Sequence, residues 1–465
     1  MAKVVDGQIE WLKDEATGVP VGFKKKNGTE GALVTAETNP LTGGIKYQLP
    51  GGDQVLQFVA PWKADGWAAC VNDLIQQAHA AGGGVIIVPP SIYDYVAETE
   101  ILFNSVSNIS LILAPGVVIT RPDPFELTVQ TTLNSMNCTI VSGGSTALFQ
   151  AGFYLAPYIV GTGIPAGVGS TRVAGIASSS SFSIDRQATA SGTVVLTFHY
   201  AHNIIRRINS SNIRIACPFG RATLDGNGVE SPITYDSADA LRNCIRTDAC
   251  TDVETSGIKL TNAHYHGEIG VGTTGKVRLL NIQTEANGYR GVHYHGDSGT
   301  RAVADVFADE IDLYRDGYKA WMVANDQLNT GLFIVYDNMS RVQVGRVRAR
   351  RVSGFGVHLT GAASGGVRSS GISYESIICE DVAVPLGLLN GLRNVRIGSV
   401  QAKGSFYSFA TATLGTGTAQ LPLLQSNGAG VVVGALMQAI TLPVGTDMSA
   451  FDIGQAVYLQ DIAGG

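Results

Sequence analysis

The amino-acid sequence predicts an all-β solenoid, a parallel β-helix, and three observations carry that prediction. Between Ile258 and Val400 runs a loose repeat: a short apolar-x-apolar stretch, a polar turn, usually a glycine, then a second apolar-x-apolar stretch. The repeats start at Ile258-Lys-Leu260, Ile282-Gln-Thr284, Ile311-Asp-Leu313, Val347-Arg-Ala349, Ile377-Ile-Cys379 and Val400-Gln-Ala402, at spacings of 24, 29, 36, 30 and 23 residues. A period of a few tens of residues marks units that cannot bury an apolar face alone and must stack on their neighbours. The units also alternate as strands do, as in Gly257-Ile-Lys-Leu-Thr261 and Glu310-Ile-Asp-Leu-Tyr314, with no 3.6-residue stripe. Finally, the chain holds 57 glycines and only 15% charged residues, against about 7% glycine and about 25% charged in ordinary chains, a bias toward strands and tight turns.

Three regions follow in order. Residues 1–60 are rich in Gly, Lys, Thr and Pro, as in Gly22-Phe-Lys-Lys-Lys-Asn-Gly28 and Asn39-Pro-Leu-Thr-Gly-Gly44, and lack the later rhythm; they read as a separate module or attachment arm. In Gly66–Ala81 the apolar positions 67, 70, 71, 74, 75 and 78 follow helical spacing. Gly82-Gly-Gly84 ends that helix, and Val85-Ile-Ile-Val-Pro-Pro90 is a buried strand closed by prolines. One amphipathic helix ahead of a strand series suits the open end of a solenoid, where bare rungs would face water. The solenoid is assigned to residues 61–404. Beyond Lys403 the rhythm fades into Ala-, Gly- and Thr-rich sequence, including Phe406-Tyr-Ser-Phe409 and Gly430-Val-Val-Val-Gly-Ala-Leu436, so 405–465 reads as a terminal cap or oligomerisation segment.

Composition narrows the partners. A net charge of −6 argues against a general nucleic-acid binder, whose affinity rests on phosphate neutralisation. The cysteines, at 70, 138, 217, 244, 250 and 379, form no CxxC pair and are expected as small buried apolar residues. The start, Met-Ala-Lys-Val-Val-Asp-Gly, has no apolar h-region, and no apolar run approaches 18 residues, so synthesis in a cytoplasm and no membrane insertion are expected.

The helix followed by Gly82-Gly-Gly-Val-Ile-Ile-Val-Pro-Pro-Ser-Ile-Tyr93, and then Ile109-Ser-Leu-Ile-Leu-Ala-Pro-Gly-Val-Val-Ile119, resembles the entry to pectate-lyase-like right-handed, single-stranded β-helices. Thr223-Leu-Asp-Gly-Asn-Gly228 is similar to a turn common in them, although Asp225 also reads as an ordinary turn residue. An N-terminal module with a Gly-Phe-x-x-x-Asn-Gly stretch looks most like bacteriophage tailspikes and tail fibres. That resemblance implies a homotrimer in the virion tail, attached to other tail or baseplate proteins through residues 1–60. It implies a bacterial surface polysaccharide (capsule, O-antigen or exopolysaccharide) as ligand or substrate. The Asn-Thr-Asp, Asp-Asp and Gly-His-Gly blocks of polygalacturonase-type members are absent from the sequence, so no catalytic residue is carried over. No calcium motif is detectable, and no cofactor is expected.

Local composition supplies the candidate site. Residues 262–321 concentrate His264-Tyr-His-Gly-Glu268, Glu285, Tyr289-Arg290, His293-Tyr-His-Gly-Asp297, Asp309-Glu310, Asp312, Tyr314-Arg-Asp316 and Trp321. Flat aromatic faces cover sugar C–H surfaces while carboxylates and arginines bond the hydroxyls. Glycoside hydrolysis needs two carboxyls about 5–5.5 Å or 6.5–9.5 Å apart, and neighbouring strands lie about 4.7–4.9 Å apart. Glu285 and Asp316, three and five residues past their anchors on consecutive rungs, are therefore the first candidates for acid and base or nucleophile. Glu268 and Asp297 come next, with His266 and Arg315 assisting, and His264, Tyr289, His293, Tyr294, His295, Tyr314, Arg315 and Trp321 binding substrate. The competing view makes these carboxylates solvated decoration and the chain a glycan-binding or structural tail protein without catalysis; β-elimination is a further alternative. His264/His266 and His293/His295 would offer four imidazoles to a metal only if the pairs stack. They start six and eleven residues after their anchors, so they are expected out of register, with no metal bound. Arg341-Val-Gln-Val-Gly-Arg-Val-Arg-Ala-Arg-Arg351 projects arginines outward, toward an acidic glycan or toward Asp and Glu of neighbouring rungs.

Overall fold

The computed structural model describes residues 66–91, 93–149, 158–165, 171–200, 202–228, 242–272, 275–296, 302–317, 332–335, 338–352, 355–360, 369–382, 384–389 and 393–403, with the outlying strands 9–13, 20–25, 30–32, 45–47, 57–59, 409–414, 417–422 and 431–434. A 17-stranded sheet and an 8-stranded sheet, here the long and the short sheet, enclose one core that runs from Trp67 to Val400. Each turn of chain gives one strand to the short sheet and two to the long one, as in Ile245–Asp248, Thr251–Ser256 and Ile258–Thr261. From Val303–Tyr314 onward the two long-sheet strands fuse. The result is a right-handed parallel β-helix.

The repeat anchors stack as the sequence predicts. Lys259 pairs with Gln283, one residue past the first two anchors, and Ile282, Ile311, Val347, Ile377 and Val400 pair in succession. Alternation then sorts the side chains. Val306, Ala308, Ile311 and Leu313 are buried, whereas Phe307 and Glu310 face out.

A second register feature sets the outline. Asn108, Asn212, Asp252, Asp305 and Arg341 occupy one column with φ between 51° and 60°, each between paired residues. Such a left-handed residue kinks its strand, and because successive rungs carry it at the same place the pairing continues in register. Asn212 Nδ2 donates to Asn108 Oδ1 at 2.9 Å, linking two of these kinks.

The predicted helix spans Trp67–Ala80 and buries Trp67, Val71, Leu74, Ile75 and Ala78. It also satisfies the exposed strand edge beneath it. Leu102 N–H donates to Asn72 Oδ1 at 2.7 Å, Ser107 N–H to His79 Nδ1 at 3.3 Å, and Asn72 Nδ2 to the Glu100 carbonyl at 2.8 Å. Unpaired edge groups would otherwise template further strands. Gly66 offers no capping side chain, and Glu98 accepts from Ala68 and Ala69 N–H in its place.

One unit has no counterpart in the sequence reading. Strands between Phe125 and His199 close into a six-stranded antiparallel barrel with its own core of Leu127, Val129, Phe149, Phe182, Leu196 and Phe198. It interrupts the coil, which nevertheless resumes in register, Ile109 pairing with Ile213. In the N-terminal region, Gln57–Val59 pairs in parallel with Gly84–Val88; most other residues of 1–60 and of 405–465 lie outside those described. No helix among the described residues is long and apolar enough to cross a membrane. All six cysteines are free thiols, five of them buried.

Gly270 tests the packing. A Cβ there would stand 2.2 Å from the Tyr294 ring, and overpacking of this kind costs about 1–3 kcal/mol. Gly270→Ala should lower the chemical-denaturation midpoint of the protein; an unchanged midpoint would show that the interior yields.

Candidate functional site

The short sheet positions the densest polar chemistry, and register decides which side each group takes. Arg207, Thr247, Gly270 and Tyr294 form one inward column, with Ile205, Ile245, Glu268 and Val292 beside it. Arg206, Arg246, Ile269 and His293 form the intervening outward column, followed by Asp248, Val271 and His295.

The inward groups make a closed network. Arg207 Nη2 donates to Glu268 Oε1 at 2.8 Å, with both side chains fully buried. Thr255 Oγ1 donates to the same oxygen at 3.1 Å and Tyr294 Oη at 2.6 Å. Burial, then the Glu268 charge, raises the Tyr294 phenol well above its ordinary value. Glu268 and Tyr294 thus lie inside the coil, and substrate has no route to them there.

On the side of the short sheet away from the coil's interior, His266, His293 and His295 gather with Tyr265, Tyr289 and Arg290, all of them buried except the half-buried His295. The Tyr265 and Tyr289 rings stack at 4.9 Å, and the Arg290 guanidinium lies 4.1 Å from the Tyr289 ring centroid. Arg290 donates to Tyr289 Oη at 2.8 Å and to His293 Nδ1 at 3.0 Å. His266 meets His293 edge-on at 5.0 Å, and His293 stacks on His295 at 4.8 Å. Burial, then Arg290, pushes His266 and His293 well below the ordinary imidazole value, so both are neutral. Arg206 and Arg246, partly exposed, form the cluster's margin around the nearly buried Asp248. Asp248 accepts from Arg206 Nε at 3.1 Å and Arg246 Nε at 2.9 Å. Arg206 also reaches Glu100, 3.9 Å away, whose carboxyl is raised by burial against the lowering hydrogen bonds from Asn203.

The structure separates the leading carboxylate pair. Glu285 projects from the long sheet's outer side and pairs with Lys259. Asp316 is fully buried inside the coil, where it accepts from Thr284 Oγ1, from Asn287 N–H at 3.0 Å and from Asn287 Nδ2 at 2.8 Å. Burial pushes its carboxyl up to about 7. The cause of the misplacement is local: Glu285 pairs with Tyr314, Arg315 then adopts φ 54°, and this left-handed turn sends Asp316 inward. Tyr314 and Arg315 therefore belong to the long sheet, away from the histidines, with Arg350 over the Tyr314 ring at 5.3 Å. His264 lies beside Gly228, in a narrow cleft with Arg121, Tyr200 and Arg242 where the barrel meets the coil. Asp297 and Trp321 lie outside the described residues.

The two His-Tyr-His segments are out of register, His266 opposite Arg290 and His293 opposite Ile269. Among the described residues no group of three or more His, Cys, Asp or Glu is arranged to hold a metal. Asp225 is a turn residue, accepting from Asn227 N–H at 2.9 Å and from Asn262 Nδ2. Four of the five arginines of 341–351 pair along the rungs: Arg341 with Asp305, Arg346 with Glu310, Arg350 with Asp312 and Arg351 with Asp381.

Arg206, Arg246, Asp248 and Glu100 were not singled out by sequence reasoning. A signal for the first three exists: His202-Asn-Ile-Ile-Arg-Arg-Ile-Asn-Ser-Ser-Asn-Ile213 recurs as Arg242-Asn-Cys-Ile-Arg-Thr-Asp-Ala-Cys-Thr-Asp-Val253, two rungs written side by side.

No family model matches the chain, and no curated protein matches it in sequence. Several solved structures match it in shape. A 1,3-alpha-1,4-beta-D-galactose-4-sulfate-3,6-anhydro-D-galactose-2-sulfate 4 galactohydrolase is 8% identical over 71% of this chain and 57% of its own, with a TM-score of 0.38. ORF18 of Geobacillus virus E2 is 10% identical over 78% of this chain and 68% of its own, with a TM-score of 0.32. The Gp54 tailspike of Acinetobacter baumannii bacteriophage AP22, in complex with A. baumannii capsular saccharide, is 11% identical over 72% and 67%, with a TM-score of 0.14. The match spans little more than half the length of the first of these. These are likenesses of fold and carry nothing about residues.

Two buried carboxyls test the assignment of inside and outside. Removing one partner of a buried ion pair costs about 3–5 kcal/mol, so Glu268→Ala should destabilise the fold on that scale; an unchanged denaturation midpoint would place Glu268 at the surface. For Asp316, raised in the fold from 3.8 to about 7, the folded state binds the extra proton, so its contribution is full below the unfolded value and lost as pH rises through 7. Asp316→Asn should therefore gain stability relative to the parent chain between pH 4 and about 8, and a pH-independent difference would contradict the burial.

Proposed function

We propose that the chain is a tailspike-type protein that holds a bacterial surface polysaccharide against the outer face of the short sheet. The observation that carries this reading is the margin formed by the partly exposed Arg206, Arg246 and His295 around the nearly buried Asp248, backed by the buried Arg290, His293, His266 and the stacked Tyr265 and Tyr289. Guanidinium forks match carboxylate and phosphate groups, neutral imidazoles accept or donate to hydroxyls, and a sheet presents them without rearrangement. The trimer, the virion location and attachment through residues 1–60 rest on the resemblance of the sequence to phage tailspikes and belong to the same proposal.

Cleavage is the second reading, and one arrangement favours it. Glu100 and Asp248 bracket a single guanidinium, Arg206. Burial raises the Glu100 carboxyl, which suits a proton donor, while Asp248, held by two arginines, suits the carboxylate partner. This pair replaces Glu285 and Asp316, which face opposite sides of the shell.

Retention of the protein on host capsule or O-antigen tests recognition. Arg246→Ala should weaken it roughly ten- to hundredfold, the scale of one charge-assisted hydrogen bond, and undiminished retention would reject the short-sheet site. Release of reducing ends tests cleavage. Glu100→Gln should abolish it while the polysaccharide stays bound, and Asp248→Asn should abolish it too, whereas a parent protein that binds and releases nothing would leave recognition alone.

A further inference from the structure

A second cleft lies on the outer side of the long sheet, away from the histidines. One outward column carries Glu254, Arg278, Phe307, Gln343 and Ser373 in register, so successive side chains stand about 4.7–4.9 Å apart. The column of left-handed residues runs beside it as Asp305, Arg341 and Gly371 with φ of 56°, 54° and 70°. Between them opens a cleft of about 360 Å³, lined by Arg278, Phe307, Arg341 and Gln343 with Lys276 and Asp305 at its edge.

Three features of this cleft point to one ligand chemistry. Phe307 is 45% exposed in an otherwise polar column, and an exposed ring with open space above it presents a flat apolar face of the size of a sugar ring. Lys276, Arg278 and Arg341 are the cations of the lining and Asp305 its carboxylate, with Glu254 Oε2 3.6 Å from Arg278 Nη1 on the next rung; the cleft is locally cationic although the whole chain carries a net charge of −6. Asp305 moreover orients Arg341, accepting from its Nη2 at 2.9 Å and from its Nε, which leaves Nη1 without a part in that pair. Gly371, one rung further, adds no side chain, so the cleft is open at that end along the coil axis.

We propose that this cleft is a second saccharide subsite that takes a uronic acid residue, the sugar face on Phe307 and the carboxylate between Arg278 and Arg341. The proposal rests on the glycan-binding reading above and extends it to the long sheet. A linear polymer fits the setting because the cleft runs with the stacked rungs. The same face could instead contact another copy of the chain, and the experiment separates the two.

Calorimetric titration of the full-length protein with tetragalacturonate, and with its carboxyl-reduced, uncharged counterpart, is the test. Phe307→Ala and Arg278→Ala should each weaken a binding step for tetragalacturonate at least tenfold, and the uncharged tetrasaccharide should lack that step. Arg246→Ala, which alters only the short-sheet site, should leave it within twofold, so the two sites succeed or fail separately. Absence of the step, equal binding of the uncharged probe, or wild-type binding by both variants would overturn the proposal. A change in sedimentation of Phe307→Ala with probe binding intact would assign the face to contacts between copies and overturn it equally.

Discussion

Everything in this molecule depends on in-register stacking of parallel rungs. Backbone hydrogen bonds hold successive strands about 4.7–4.9 Å apart, and each residue is then either inside or outside for as long as the alternation holds. Ile282, Ile311, Val347, Ile377 and Val400 follow that rule as an unbroken internal column. The same rule places Arg206, Arg246, Ile269 and His293 in one column on the side away from the core although they come from four separate turns of the chain. A single residue out of phase reverses the outcome.

The fold was legible because the rule is written in the sequence. The anchors, the capping helix and the out-of-register histidine segments each follow from spacing alone. The barrel was not legible, since its strands between Phe125 and His199 alternate as the coil's do and its own core closes by antiparallel pairing, which period cannot reveal. Asp316 was misplaced for a smaller reason. Counting from the anchor treats Tyr314-Arg-Asp316 as straight strand, but Ala286 and Arg315 both adopt left-handed φ, and the residues that follow, Asn287 and Asp316, turn into the core and bond each other. Neither Ala nor Arg announces such a backbone, unlike the Asn and Gly at other turns.

Polar burial divides the site chemistry in two. Inside, Glu268 is matched to Arg207, Thr255 and Tyr294, and Asp316 is held mostly by neutral donors, which is why burial dominates its proton affinity. Outside, Arg290 sits among imidazoles that burial and its own charge keep neutral. Sequence composition alone could not distinguish these populations, because His293, Tyr294 and His295 alternate between them residue by residue.

The most direct measurement is a crystal structure of the protein with an oligosaccharide of its host polysaccharide. Sugar density along the outer face of the short sheet, within hydrogen-bond reach of Arg246 and His295, is the predicted result. Sugar density lying instead against Glu285 and Lys259, with the Arg246 margin bare, would contradict the account of how the rungs present this site.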